Sequence, residues 1–320
     1  MQRQAVHAGS WYSDSTTQLD KELSKYLDAV PVKTDDGDNY PIPGVRAIIG
    51  PHAGYAYSGP TAAYAYKCVD VSPIKRVFIL GPSHHVYLTR CALSRCDTYE
   101  TPLGTLELDK DCINELYNTG KFEWMDKSTD EAEHSIEMHL PYVAKIFKDR
   151  LNDIRIVPIM VGVTRPTSER MYGELLAKYL ADASTLFVIS SDFCHWGLRF
   201  SYTAYRTGRS AAIKALSRTN ASNITTPIHE SIKDIDTQGM EIIESLDYDA
   251  FVDYLNDTEN TICGRHPIGV LLCALSQLKA EGYKDQRVRF VKYAQSSACR
   301  TVRESSVSYA SAFVYVNLEK

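Results

Sequence analysis

Five residues with metal-ligating or proton-transferring side chains fall at repeated positions in the chain. They are His52 in Gly50-Pro51-His52-Ala53-Gly54, His84 and His85 in Gly81-Pro82-Ser83-His84-His85, and Asp192 and His195 in Ser191-Asp192-Phe193-Cys194-His195-Trp196-Gly197. Each group follows a short run of β-branched and aliphatic residues: Val45 to Ile49, Arg76 to Leu80, and Leu186 to Ser190. Runs of this kind read as buried strands. Open α/β sheets bind ligands beyond the carboxyl ends of their strands, so three strands can deliver imidazole and carboxylate groups to one rim. A metal centre is the chemistry that such a set suggests, because metal sites draw imidazoles and a carboxylate or thiolate from separate elements.

Cys263 is less decided. It stands in Asn260-Thr261-Ile262-Cys263-Gly264-Arg265-His266-Pro267, just before a predicted helix. A helix N-terminus and Arg265 would lower the thiol pKa and favour a metal-binding thiolate. A buried thiol acting as a small hydrophobe accounts for the same position. In Glu131-Ala132-Glu133-His134-Ser135-Ile136-Glu137-Met138-His139, the two histidines are five apart, so they project from different helix faces, unlike the four-residue spacing of a HExxH site. Ser135 or a neighbour reads as a helix start with Glu137 in its first turn, and His134 as a group reaching the rim to support a ligand or move a proton. Trp11, Tyr55 and Trp196 lie in Gly-punctuated turns and are expected, with His85, to wall a pocket. Phosphate-binding GxGxxG and GxxxxGK[ST] loops are missing. Hydrolysis by Cys263 or Ser191 with His195 as base lacks a nucleophile-elbow GxSxG.

The elements that must position these residues alternate. Further strands are expected at Ile154 to Val161, Val288 to Tyr293 and Ser308 to Val316. Helical patterns run over Ser15 to Tyr26, Thr61 to Lys67, Ser135 to Phe147, Ser168 to Leu180, Asp236 to Leu246, Tyr248 to Leu255 and Pro267 to Ala280. Pro31 to Pro43 and Asn220 to Ile228 read as exposed connections. The expectation is an α/β fold, one domain over residues 1–320, with a central mixed sheet in a three-layer α/β/α arrangement.

Composition limits the partners. With 44% hydrophobic and 23% charged residues the 320-residue chain can bury a sizeable core. A net charge of −5 argues against general nucleic-acid binding. The opening MQRQAVHAGSWYSDS has no apolar signal-peptide region and no later stretch is long enough to span a bilayer, so a cytoplasmic protein with possible access to the nucleus is expected. Eight cysteines without CxxC pairs suggest neither a disulfide scaffold nor a structural zinc site.

Eight segments then carry a resemblance: HAGSWY at 7–12, PHAGYAYSG at 51–59, FILGPSHH at 78–85, EHSIEMHLP at 133–141, SSDFCHWG at 190–197, TICGRHPIG at 261–269, and YAQSS with SSVSYA near the C-terminus. In this order they closely resemble the Memo family, named for mediation of ErbB-receptor-driven cell motility. The resemblance implies a fold similar to the class III extradiol (LigB-like) non-haem iron dioxygenases. It implies His52, His84 and Cys263 as ligands of a mononuclear metal, with Asp192 and His195 lining the cleft and His195 where the dioxygenases hold an acid/base histidine. Those enzymes bind iron through two histidines and a carboxylate, whereas the third position here is a thiol. That donor set suits iron or copper and also accommodates zinc. The family association implies oxidative signalling in motility. As the alternative, it implies an adaptor that binds a phosphotyrosine-containing receptor peptide or a cytoskeletal regulator in the same cleft.

Overall fold

A computed structural model describes residues 1–221 and 224–319. Nine strands form a central mixed sheet: β1 (Val45–Gly50), β2 (Arg76–Pro82), β3 (Cys91–Ser94), β4 (Phe122–Met125), β5 (Arg155–Val161), β6 (Thr185–Ser190), β7 (His195–Trp196), β8 (Gln286–Gln295) and β9 (Ser306–Val316). Their order is β7-β9-β1-β6-β2-β5-β3-β4, with β8 also paired to β9. The middle four strands, β1-β6-β2-β5, are mutually parallel. β9 and β3 close the two flanks in antiparallel register. The parallel strands are buried along nearly their whole length. Continuous apolar runs such as Val77-Phe78-Ile79-Leu80 are what strands covered on both faces require.

Among the described residues ten α-helices accompany the sheet: α1 (Thr16–Asp28), α2 (Tyr55–Lys67), α3 (Lys110–Asn118), α4 (Lys127–Ala132), α5 (His134–Glu137), α6 (Leu140–Ile146), α7 (Pro166–Leu180), α8 (Ile228–Glu244), α9 (Tyr248–Thr258) and α10 (Arg265–Ala280). α1 packs on α2, which covers β1, β8 and β9, while α7 and α10 pack on each other and on the central strands. At that crossing a Cβ on Gly173 would lie 2.4 Å from the Cβ of Cys273, so only glycine permits the approach.

Several boundaries differ from the sequence reading. α2 begins at Tyr55, six residues before the expected Thr61, because Pro60 lies within the helix rather than ahead of it. The helix expected over Ser135 to Phe147 is split into α5 and α6, since Pro141 has no N–H to give Glu137 and instead occupies an opening turn. α8 starts eight residues before the expected Asp236. Part of the connection expected over Asn220 to Ile228, residues 222 and 223, lies outside the described residues. The strands β3 and β4, four residues each, and the nine-residue helix α3 went unread, their segments being short.

Candidate metal centre

His52, His84 and Asp192 stand at equivalent places, each two residues beyond the last residue of a parallel strand: Gly50 of β1, Pro82 of β2 and Ser190 of β6. Because these strands run side by side, the rim gathers the three side chains. Cys263 arrives from the opposite direction, two residues before the start of α10. One ligand atom from each of His52, His84 and Cys263 lies within 4.8 Å of the others. The Cys263 Sγ is 3.1 Å from His52 Nε2.

Hydrogen bonds fix the imidazole tautomers. The Ser190 hydroxyl donates its one proton to Ser135 O at 2.7 Å, so at 2.6 Å from His52 Nδ1 it accepts. Glu133 Oε1 likewise accepts from His84 Nδ1 at 2.8 Å. Both rings thus carry the proton on Nδ1 and direct an unprotonated Nε2 elsewhere, the form that binds a metal. The donor set and its outer hydrogen bonds fit a mononuclear metal with an imidazole, imidazole, thiolate environment.

Burial shapes the titrations. Loss of solvent, followed by the neighbouring His84, His134, His139 and His195, holds His52 well below the ordinary histidine range, so it stays neutral. Burial pushes Glu133 up, but hydrogen bonds and charge from His84 and the amides of His84 and Ser135 more than offset this, leaving the carboxyl at about 2. The Cys263 thiol departs from the sequence expectation of a lowered pKa. Burial and then the charge of Asp192 push it well above its usual value, and the backbone amides oppose this without reversing it. Arg265 does not counter them: among the described residues its guanidinium donates to Ile262 O alone, at 3.4 Å.

The surrounding residues divide sharply. Asp192 is 3% exposed, and its Oδ1 accepts from His52 N at 2.9 Å while its own N–H points at Cys263 Sγ at 3.3 Å, so it ties together two loops that bear ligands. His195 donates from Nδ1 to Phe193 O at 2.9 Å, which leaves Nε2 as its free basic atom. His134 is stacked between His84 and Trp11, with ring centroids 4.3 and 4.6 Å away. His85 is exposed on the rim, edge-on to His134 at 5.9 Å.

Two aromatic expectations are corrected. Tyr55 is 2% exposed: as the first residue of α2 it turns inward, donates its hydroxyl to Met138 O and packs on Tyr12 and Tyr142. Trp196 is fully buried, with its indole N–H donating to Ala204 O. Both belong to the core and not to a pocket wall. Trp11 does border a cleft of about 550 Å³ lined by Ala53 and Gly54, which follow His52, and by Tyr57, Arg199, Ser296 and Tyr309. The serine-rich hairpin from Ser296 to Ser308 had appeared only as a motif, with no role attached.

Glu133 was the main residue missed. It caps α5, accepting from Ser135 N at 2.9 Å, two residues before Ser135, which the sequence suggested, with its neighbours, as the helix start. Glu137 proves more than a first-turn charge. It is fully buried and accepts from His7 N, His7 Nδ1 and Tyr12 Oη, and it pairs with Arg3 at 2.8 Å. This network holds the N-terminal segment down and so sets Trp11 over His134.

A sequence profile described as Memo-like protein matches residues 3–313. The chain belongs to the Memo family. It is 49% identical to Protein MEMO1 of Xenopus laevis over 315 residues, covering 98% of each chain. It is 48% identical to Protein MEMO1 of Homo sapiens with the same coverage. Protein memo-1 homolog of Caenorhabditis elegans is 44% identical over 98% of this chain and 83% of its own. Among solved structures, uncharacterized protein JW3007 from Escherichia coli K12 aligns at TM-score 0.43 and 12% identity, covering 83% of this chain and 99% of that one. Among the described residues no helix is long and apolar enough to cross a membrane.

Proposed function

We propose that this Memo-family chain is a metal-dependent redox protein in which His52, His84 and Cys263 hold one iron or copper ion. The observation that carries the reading is the convergence of one ligand atom each from His52, His84 and Cys263 within 4.8 Å, with both Nδ1 protons already committed to Ser190 and Glu133. A bound iron or copper would supply one-electron exchange with dioxygen, whereas zinc would supply only Lewis acidity. The protein's own residues do the rest. Ser190 and Glu133 orient the rings, Asp192 keeps the His52 loop against the Cys263 loop, and His195 Nε2 takes up or returns a proton at the cleft. His134 stacks on one face of the His84 ring, and Trp11 packs on His134 in turn.

Elemental analysis of protein purified without added metal, together with oxygen consumption and superoxide release, tests this reading. Wild type is expected to hold close to one iron or copper per chain, and Cys263→Ser to lose most of it. Equal metal content in both proteins, with no oxygen turnover in either, would sink the proposal.

A second reading is favoured by the cleft that Ala53 and Gly54 line. There Arg199, which stacks on Phe200 at 4.4 Å, stands with Trp11, Tyr57 and serine hydroxyls. This lining suits an anionic aromatic group, and supports the family's adaptor role toward a phosphotyrosine-containing receptor peptide or a cytoskeletal regulator in the cytoplasm. Peptide binding that is unchanged by Arg199→Ala and by Trp11→Ala would place such a partner elsewhere.

A further inference from the structure

Between Asp192 and Glu230 the chain carries five Lys or Arg residues and no Asp or Glu, in a protein whose net charge is −5. Two of the five are neutralised locally, Arg206 by Asp234 and Arg209 by Glu241, both on α8. The other three, Arg199, Lys214 and Arg218, are exposed. Arg199 lies over the ring of Phe200 and Lys214 over that of Tyr205. Arg300 and Arg303, in the loop between β8 and β9, are exposed as well. Among the described residues none of these five side chains pairs with a carboxylate.

The fold gathers these cations on one surface. Gly197 is pressed against the loop between β8 and β9, where a Cβ on it would lie 2.7 Å from Ser305 Cβ. Arg199 borders the cleft together with Ser297 and Ser305 of that loop. A hollow beside Arg300 is lined by Thr226 and His229. The Thr226 N–H donates to the Tyr205 hydroxyl at 2.9 Å, which ties the hollow to the antiparallel pair of Ala204–Tyr205 with Lys214–Ala215. Two acids, Glu230 and Glu304, lie among the cations, and Glu304 accepts from the backbone N–H groups of Arg300 and Thr301. Apolar side chains stand at the border of this surface: Trp11, Tyr57 and Leu198 are 36%, 64% and 45% exposed. Trp11 and Tyr57 line the cleft with Arg199, and Leu198 precedes Arg199 in the turn Leu198–Phe200.

We propose that this face docks on an anionic lipid bilayer. The five uncompensated cations meet the headgroup charge, Trp11 and Tyr57 sit at headgroup level where amphipathic rings are favoured, and Leu198 enters the acyl boundary. An acidic protein or a nucleic acid would engage the same cations, but a hydrated polyanion offers Leu198 nothing. An exposed aliphatic tip gains free energy by leaving water, which the edge of a bilayer provides. The contact is peripheral and screened by salt, because its charges stay in the aqueous interface. It does not depend on the proposed metal, and it turns the mouth of the cleft that Trp11 and Tyr57 border toward the membrane.

Co-sedimentation of the full chain with vesicles tests the proposal, using phosphatidylcholine alone and phosphatidylcholine with about one-third phosphatidylserine. Binding to the charged vesicles is expected to be at least about tenfold tighter, and to weaken at least about tenfold between ~0.1 and ~0.5 M salt. Lys214→Glu combined with Arg218→Glu should weaken it at least about tenfold, and so should Arg300→Glu combined with Arg303→Glu, each lost cation being worth about fivefold. Either pair suffices where the other fails to fold. Charged vesicles should shift the fluorescence of wild type to shorter wavelength, and Trp11→Phe should abolish that shift. Leu198→Ser should weaken vesicle binding about threefold or more, by the loss of one aliphatic contact. No preference for charged vesicles, or unchanged binding in the folded charge variants, overturns the proposal. So does a Leu198→Ser protein that binds charged vesicles as wild type does while polyglutamate or a single-stranded oligonucleotide displaces them, since the face is then a general polyanion site.

Discussion

The Nδ1–H of His84 donates to Oε1 of Glu133, whose other oxygen accepts from the backbone N–H of the same histidine at 2.6 Å. Glu133 is 1% exposed, so the chain buries a carboxylate for the sake of one ring's orientation. Removing the charge while keeping the shape tests that relationship. Glu133→Gln should lower metal affinity about 10- to 100-fold, the range seen when a ligand's supporting partner is lost. Chelator-competition titration measures this, and near-UV circular dichroism should show the fold retained. An affinity within twofold of wild type would mean that Glu133 serves only to cap α5.

Burial and Asp192 hold the Cys263 thiol protonated through the neutral range, so a metal must displace that proton to bind the sulfur. Apparent affinity should therefore rise about tenfold per pH unit between pH 7 and 8.5, one proton being released per ion bound. In Cys263→Ser, affinity should be weaker and nearly independent of pH over the same interval. A flat wild-type profile would show that the sulfur does not bind the metal.

His139 is 1% exposed, and burial holds its pKa at about 3, with its ring hydrogen-bonded to Tyr66 Oη at 2.7 Å. The folded value lies below the unfolded value near 6.5, so the unfolded chain binds more protons in between and stability rises with pH. The contribution is complete above about pH 6.5 and is lost as the pH falls toward 3, with a slope of up to ~1.4 kcal/mol per pH unit for each histidine so placed. Urea unfolding between pH 4 and 7 should show this decline, and His139→Gln should reduce its slope. Because His52 and His134 shift in the same direction, part of the slope should persist. Parallel curves for the two proteins would contradict the assignment.

What the sequence made legible follows from how local each signal was. The three strand-end groups were readable because a parallel strand announces itself as an apolar run, and the rim position follows from where the run stops. His52, His84 and Asp192 needed no tertiary information to be placed together. Cys263 did, since the loop before α10 lies 211 residues from His52 and nothing near it encodes that approach. Its electrostatics were misjudged for the same reason: the helix N-terminus and Arg265 are visible in the sequence, whereas partial burial beside Asp192 is not. Tyr55 and Trp196 were read as turn residues from their glycine neighbours. In the fold, Tyr55 opens a helix across Pro60, and Trp196 enters a two-residue strand against β9. Glu133 stood within a quoted motif, but its partner lies 49 residues away, beyond any pattern based on spacing.

Gly264 shows how tightly the Cys263 loop is seated. A Cβ there would lie 2.3 Å from Ser191 Cβ, 2.4 Å from Ser190 O and 2.6 Å from Ser191 Oγ, while the Gly264 N–H donates to Ser191 Oγ at 3.0 Å. Ser190 ends β6 and also orients His52, so neither the loop nor the strand can yield without separating Cys263 from His52. Gly264→Ala is therefore expected to destabilise the protein by about 1–3 kcal/mol, as overpacking a close contact does, and to reduce metal content. Adding Ser191→Ala removes the hydroxyl but leaves the Ser190 carbonyl and the residue-191 Cβ in place, so the double variant should recover little. Thermal melts with metal analysis separate the outcomes. A melting temperature within about 2 °C of wild type, with full metal content, would show that the loop has room that the packing denies.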